Sequence, residues 1–133
     1  MIVLDTHVLI WWVTDDARLS GPARDALDRE SVAPDGQILV SVITAWEIAM
    51  LQQRSRLVLS MELDEWLTAV ASIERVSFVP VSTRVAVQST QLPGAFHKDP
   101  ADRIIVALAR ELNAPLLSAD EKIRNYAHVR SIW

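Results

Sequence analysis

An α/β fold is predicted, with a central, mostly parallel β-sheet of about four or five short strands and helices on both faces. Three observations predict it. Short apolar runs recur along the chain, and a segment long enough for a helical crossover separates each from the next. Half the residues are hydrophobic and 23% are charged, which supports a packed core and rules out disorder of the whole chain. With 133 residues, the chain fits one domain, 1–133, burying about two thirds of its unfolded surface.

The elements follow in order. Ile2–Leu4 is a short apolar strand, and Thr6–Val13 reads as a buried helix with Trp11 and Trp12 for bulk. A loop leads to Ser20, which caps a helix from Gly21 to about Glu30, with Pro22 in its first turn. Pro34-Asp35-Gly36 is a turn. Ile38–Ser41 is the second strand, followed by a helix to about Gln53. Glu62–Ile73 is amphipathic, with Leu63, Trp66, Leu67 and Val70 on one stripe. Ser77–Val81 is the third strand, Thr83–Thr90 a helix and Leu92–Lys98 a loop. Asp99-Pro100 opens an apolar helix to about Leu112. Pro115–Ser118 is the fourth strand, Asp120–Tyr126 a short helix, and Val129–Ile132 a last strand.

The absence of cysteine excludes disulfides, thiolate metal sites and cysteine nucleophiles, and fits a reducing, cytoplasmic setting. No stretch reaches the ~18 apolar residues of a membrane span, and Asp5 and His7 interrupt the first apolar run, so neither a signal peptide nor a membrane protein is expected. Of the basic residues, all but Lys98 and Lys122 are arginine.

In open parallel sheets, ligands sit outside the carboxyl ends of the strands. Five acids fall there. Asp5 follows the first strand and Asp120 the fourth; Asp99 and Asp102 lie in a loop-to-helix turn; Glu47 lies one turn into the helix after the second strand. Asp5, Asp99 and Asp120 also fit ordinary helix N-caps, and Asp102 then falls where a capping-box acid stands. Glu47 resists that description, because its neighbours on the helix, Ile43, Thr44, Met50 and Leu51, form a largely apolar stripe. Asp102 shares a face with Ile105, Val106 and Ala109, none of them basic. A carboxylate on such a face must find a cation, a proton or a metal.

Carboxylates gathered at one rim repel one another, and a hard divalent cation such as Mg²⁺ or Mn²⁺ relieves the conflict. His7, His97 and His128 are scattered, so zinc is not expected. The reaction implied is metal-assisted phosphodiester hydrolysis. The net charge of −4 argues against a nucleic-acid substrate only at first sight. Without the five rim acids, 12 acidic residues face 13 basic ones.

These segments resemble a known family. Asp5-Thr6-His7 after the first strand resembles the opening of PIN-domain proteins, and Ser41-Val-Ile-Thr44-Ala-Trp46-Glu47-Ile48 their second motif. His97-Lys-Asp99-Pro-Ala-Asp102-Arg103-Ile-Ile-Val-Ala resembles the third and Leu117-Ser118-Ala-Asp120 the fourth, with serine where many members have threonine. The subgroup it resembles is the VapC-type toxins of bacterial toxin–antitoxin pairs. The resemblance implies a PIN fold and a Mg²⁺- or Mn²⁺-dependent endoribonuclease acting on structured RNA such as tRNA or rRNA. It implies that Asp5, Glu47, Asp102 and Asp120 are the catalytic, metal-binding quartet, and that Thr6, Thr44, Asp99 and Ser118 support them. It also implies a cognate antitoxin and a homodimer. Arg103, Lys98 and His97 flank the acids and are candidate phosphate contacts; Arg103 equally fits a salt bridge to Asp99 or Glu47, and His97 a solvated loop residue. Trp11, Trp12 and Trp46 are expected in the core, and Trp66 or Trp133 at an interface.

Two other readings compete. A receiver-type phospho-acceptor domain would need adjacent acids after the first strand, an acceptor aspartate after the third and a lysine after the fifth, and this chain has none of them. A non-catalytic PIN-like binding module would use the same acids only as caps and partner contacts.

Overall fold

The computed structural model describes residues 1–133. The strands are β1 (Ile2–Leu4), β2 (Ile38–Ser41), β3 (Val76–Val79), β4 (Leu116–Leu117) and β5 (Ser131–Ile132). The helices are α1 (Thr6–Val13), α2 (Gly21–Val32), α3 (Val42–Gln53), α4 (Leu63–Ala71), α5 (Thr83–Thr90), α6 (Pro100–Glu111) and α7 (Glu121–Arg124). The predicted boundaries shift by a residue or two at β3, β4 and the helix ends, where the last turn frays. The last strand starts two residues later than expected, and the last helix stops at Arg124, where Asn125 already leads into the turn before β5.

All strand pairings are parallel, in the order β3-β2-β1-β4-β5. This differs from the 2-1-3-4-5 order of receiver domains. Alternation along the strands divides the core. Ile2, Leu4, Ile38, Val40 and Leu117 face α1, α2 and α4, whose Val8, Leu9, Leu27, Trp66 and Val70 cover them. Val3, Leu39 and Leu116 face the other way, under Val85 of α5, Ile105, Val106 and Leu108 of α6 and Ile123 of α7. Fully buried strands covered on both faces read as continuous apolar runs, which is why these are legible in sequence.

Local chemistry starts each helix where the chain needs it. The side chains of Asp5, Ser20, Ser41, Ser82, Asp99 and Asp120 accept from backbone N–H groups in the first turns of α1, α2, α3, α5, α6 and α7. Gly36 is obligatory in the turn before β2, since a Cβ there would lie 1.9 Å from the Glu30 carbonyl oxygen.

The tryptophan expectations partly reverse. Trp66 is 5% exposed, because it shares the inward face of α4 with Val70 one turn on. Trp46 is 54% exposed, because two positions along α3 turn it about 160° away from the inward residue Ile48, onto the opposite face. Trp11, Trp12 and Trp133 are partly buried against the first core, with Trp11 and Trp133 ring centroids 5.7 Å apart.

Candidate metal centre

The strand order runs outward in opposite directions from the β1–β4 pair, making this the switch point of the sheet, where a crevice opens beyond the carboxyl ends. Leu4 pairs with Leu117, so the next residues, Asp5 and Ser118, meet at that edge. The Asp5 N–H donates to the Leu117 carbonyl at 2.9 Å. Its Oδ1 accepts from the Thr6 N–H at 2.9 Å and its Oδ2 from the Ser118 hydroxyl at 2.7 Å. Asp5 is 7% exposed. Burial pushes its carboxyl above the usual range, and Asp120 adds to this, while Ser118, the Thr6 N–H and His7 pull it back.

Glu47 reaches the same crevice from α3. Its Oε1 accepts from the Thr6 hydroxyl. Thr6 spends its one proton there, so the contact between the Thr6 and Thr44 hydroxyls, 3.1 Å, has Thr44 as donor. Both threonines are buried, which fixes the relay. Burial raises the Glu47 carboxyl, the Thr6 bond opposes this, and Asp5 and Asp99 add repulsion.

Asp102 is the least compensated. Its carboxyl is pushed up to about 8, first by burial and then by Asp5, Asp99, Glu47 and Asp120, with no hydrogen bond lowering it. The buried Nε2 of His97 lies 3.1 Å from Asp102 Oδ2, yet it makes no hydrogen bond, because the ring N–H axis is not aimed at that oxygen. Asp120 caps α7 through the Lys122 N–H at 2.9 Å, and its own N–H is held by Ser118 Oγ at 3.1 Å. His97, Asp102 and Asp120 each offer a ligand atom, all within 4.8 Å of one another.

Asp5, Thr6, Glu47, Asp99, Asp102 and Asp120 thus line one cleft of about 480 Å³. The cap and site descriptions of the acids are compatible, since a capping aspartate spends one oxygen on the backbone; Asp120 keeps its other oxygen, and Oδ2 of Asp5, although it accepts from Ser118, retains a lone pair. Asp99 caps α6 through the Asp102 N–H at 3.1 Å from the exposed lip.

The flanking basic residues are placed differently from expectation. Arg103 forms no salt bridge to Asp99 or Glu47. Its guanidinium donates to the carbonyls of Ser89 at 2.7 Å and of Phe96 and His97 at 3.1 Å each, fastening the loop before α6. Lys98 is exposed and does not line the cleft. His97 is not a solvated loop residue: only 20% of its side chain is exposed, since Arg103 pulls its carbonyl inward and Phe96 packs on its ring at 4.4 Å.

The remaining wall is His7, Trp11, Arg18 and Ala119, none of which the sequence reading named as a site residue, and Arg18 is the one that brings a positive charge. Asp16 grips Arg18 by Nε at 3.0 Å and Nη2 at 2.8 Å and is itself drawn down to about 2 by it. The Arg18 guanidinium lies 5.0 Å over the Trp11 ring. The local signal was Asp16-Ala-Arg18, an aspartate whose side chain also accepts from the Arg18 N–H at 2.8 Å. Only the return of this loop beside α1 brings it to the acids.

The donor set fits a divalent cation. Burial and mutual repulsion raise the carboxyls of Asp5, Glu47 and Asp102, the last without a hydrogen-bond donor, and none of the three is salt-bridged to an arginine, the nearby Arg18 being held by Asp16.

The PIN-domain family profile matches residues 2–129. Ribonuclease VapC22 of Mycobacterium tuberculosis is 33% identical over 134 residues, covering 99% of this chain and 98% of that protein. Among solved structures, VapBC2 of Rickettsia felis bound to a promoter DNA fragment has a TM-score of 0.67 at 18% identity, covering 98% of this chain and 97% of that one. VapC20 of M. tuberculosis, a sarcin–ricin loop cleaving toxin, has a TM-score of 0.63 at 17% identity, covering 98% and 99%. The chain belongs to the PIN-domain family and is related in sequence and structure to the VapC-type ribonuclease toxins of type II toxin–antitoxin systems.

Proposed function

We propose that this protein is the toxin of a toxin–antitoxin pair, a divalent-metal-dependent endoribonuclease whose quartet is Asp5, Glu47, Asp102 and Asp120. The observation that carries this reading is the uncompensated Asp102 carboxyl among the other acids in the cleft at the sheet's switch point. The name of the M. tuberculosis relative, a ribonuclease, supports the activity.

The residues divide the work. Ser118 and the Thr6 N–H hold Asp5 with both oxygens engaged, so its position does not depend on a ligand. Thr44 orients Thr6, and Thr6 orients Glu47. Asp102 keeps both oxygens free of protein donors. When bound, Mg²⁺ or Mn²⁺ acidifies water for attack and neutralises charge on the phosphodiester. Arg18, with Nη1 left free by Asp16, offers a fork to a substrate phosphate on the same wall. The substrate is structured RNA such as tRNA or rRNA, a reading supported by the sarcin–ricin loop that VapC20 cleaves. An antitoxin partner is supported by the similarity to VapBC complexes, and a homodimer and a cytoplasmic setting belong to the same proposal. No helix is long and apolar enough to cross a membrane.

The test is RNA cleavage by the purified chain with Mg²⁺ or Mn²⁺, beside EDTA and Asp5→Asn controls. Cleavage is expected only with metal, and Asp5→Asn or Asp102→Asn abolishes it in folded protein. Full activity in EDTA overturns the metal mechanism. A folded, metal-loaded protein that cleaves no RNA yet binds an antitoxin makes it a binding module instead.

A further inference from the structure

We propose that His97 is a direct metal ligand, giving this centre a mixed nitrogen–oxygen shell that selects Mn²⁺ over Mg²⁺. The proposal rests on the metal reading above and deepens it.

The Nε2 atom of His97 is buried and has no hydrogen-bond partner, an arrangement that costs free energy unless something occupies its in-plane direction. Asp102 Oδ2 lies 3.1 Å away but off that axis. Two ligands at adjacent corners of an octahedron with bonds of about 2.1 Å stand about 3 Å apart, each about 45° off the other's bonding axis. The 3.1 Å separation of His97 Nε2 and Asp102 Oδ2, without a hydrogen bond between them, matches that ligand-to-ligand spacing. Asp120 supplies a further ligand atom within 4.8 Å of both.

The histidine is held for this role from outside the cleft. Arg103 binds the carbonyls of Phe96 and His97, and Phe96 packs on the imidazole. A surface histidine needs no such support. Imidazole is a poor ligand for Mg²⁺, which demands oxygen, and a better one for Mn²⁺ and the later transition metals. Arg103 is accordingly a positioning residue that acts through His97.

The test uses the full, untagged chain loaded with Mn²⁺. Pulsed electron paramagnetic resonance reads nitrogen bound to the ion, and the free-ion signal reads affinity, with Mg²⁺ as competitor. Direct ¹⁴N coupling is expected, changing to the ¹⁵N pattern on histidine labelling. His97→Gln removes the coupling and lowers the Mn²⁺-over-Mg²⁺ preference by roughly tenfold or more. His7→Gln, the control on the histidine that lines the cleft, leaves the ¹⁴N coupling in place. Bound Mn²⁺ without nitrogen coupling in the wild-type protein overturns the assignment, whatever the folding of the variants, and leaves the carboxylate centre standing. Coupling that survives His97→Gln and disappears in His7→Gln also overturns it. Failure to bind Mn²⁺ at all overturns both this inference and the metal reading.

Discussion

Replacing Asp102 by asparagine should make the metal-free protein more stable. The carboxyl titrates near 3.8 when free and is pushed up to about 8 in the fold. Between those values the folded chain binds a proton that the unfolded chain releases, so the stability contributed by this group is full below about pH 4 and declines as pH rises to about 8. At pH 7 the cost is up to about 4 kcal/mol, the 1.36 kcal/mol per pH unit accumulated from the free value. Asparagine keeps the volume and removes the charge. Since 16% of the side chain is exposed, about half of that cost should be recovered, roughly 2 kcal/mol. For a chain of this size that raises Tm by roughly 5–10 °C. The assay is thermal unfolding with a chelator present at pH 4, 5, 6, 7 and 8. The gain should be near zero at pH 4 and greatest at pH 7–8. With saturating Mn²⁺ the order should reverse, since wild type gains about 2.7 kcal/mol at a hundred times Kd and the variant does not. A variant that melts at or below wild type in chelator at pH 7–8, or a gain that ignores pH, would refute the crowding argument and leave Asp102 a structural residue.

Other perturbations separate support from chemistry. Ser118→Ala strands a buried Asp5 oxygen and should cost about 1–3 kcal/mol in denaturant unfolding, with weaker metal binding by calorimetry. Arg103→Ala should unfasten the 92–98 loop, seen as faster amide exchange there, and Arg103→Lys should not restore protection, because one ammonium cannot replace a fork spanning three carbonyls. Trp66→Ala should cost about 3–5 kcal/mol in urea unfolding, whereas Trp46→Ala should stay within about 0.5 kcal/mol.

The parallel sheet, the order of elements and the cluster of acids at its rim follow from the linear pattern. A strand buried on both faces must be continuously apolar, as Ile38–Val40 is, and an acid on an otherwise apolar helix face, as Asp102 is beside Ile105 and Val106, declares its own conflict. Neither signal needs a distant residue. The tertiary structure decided what depends on through-space neighbours. It turned Arg103 onto carbonyls rather than carboxylates, brought Arg18 back over Trp11, faced Trp46 outward, and set His97 against Asp102. A side chain's partner is whichever group the packed backbone brings within about 3 Å, and for a loop residue no periodicity along the chain encodes that distance.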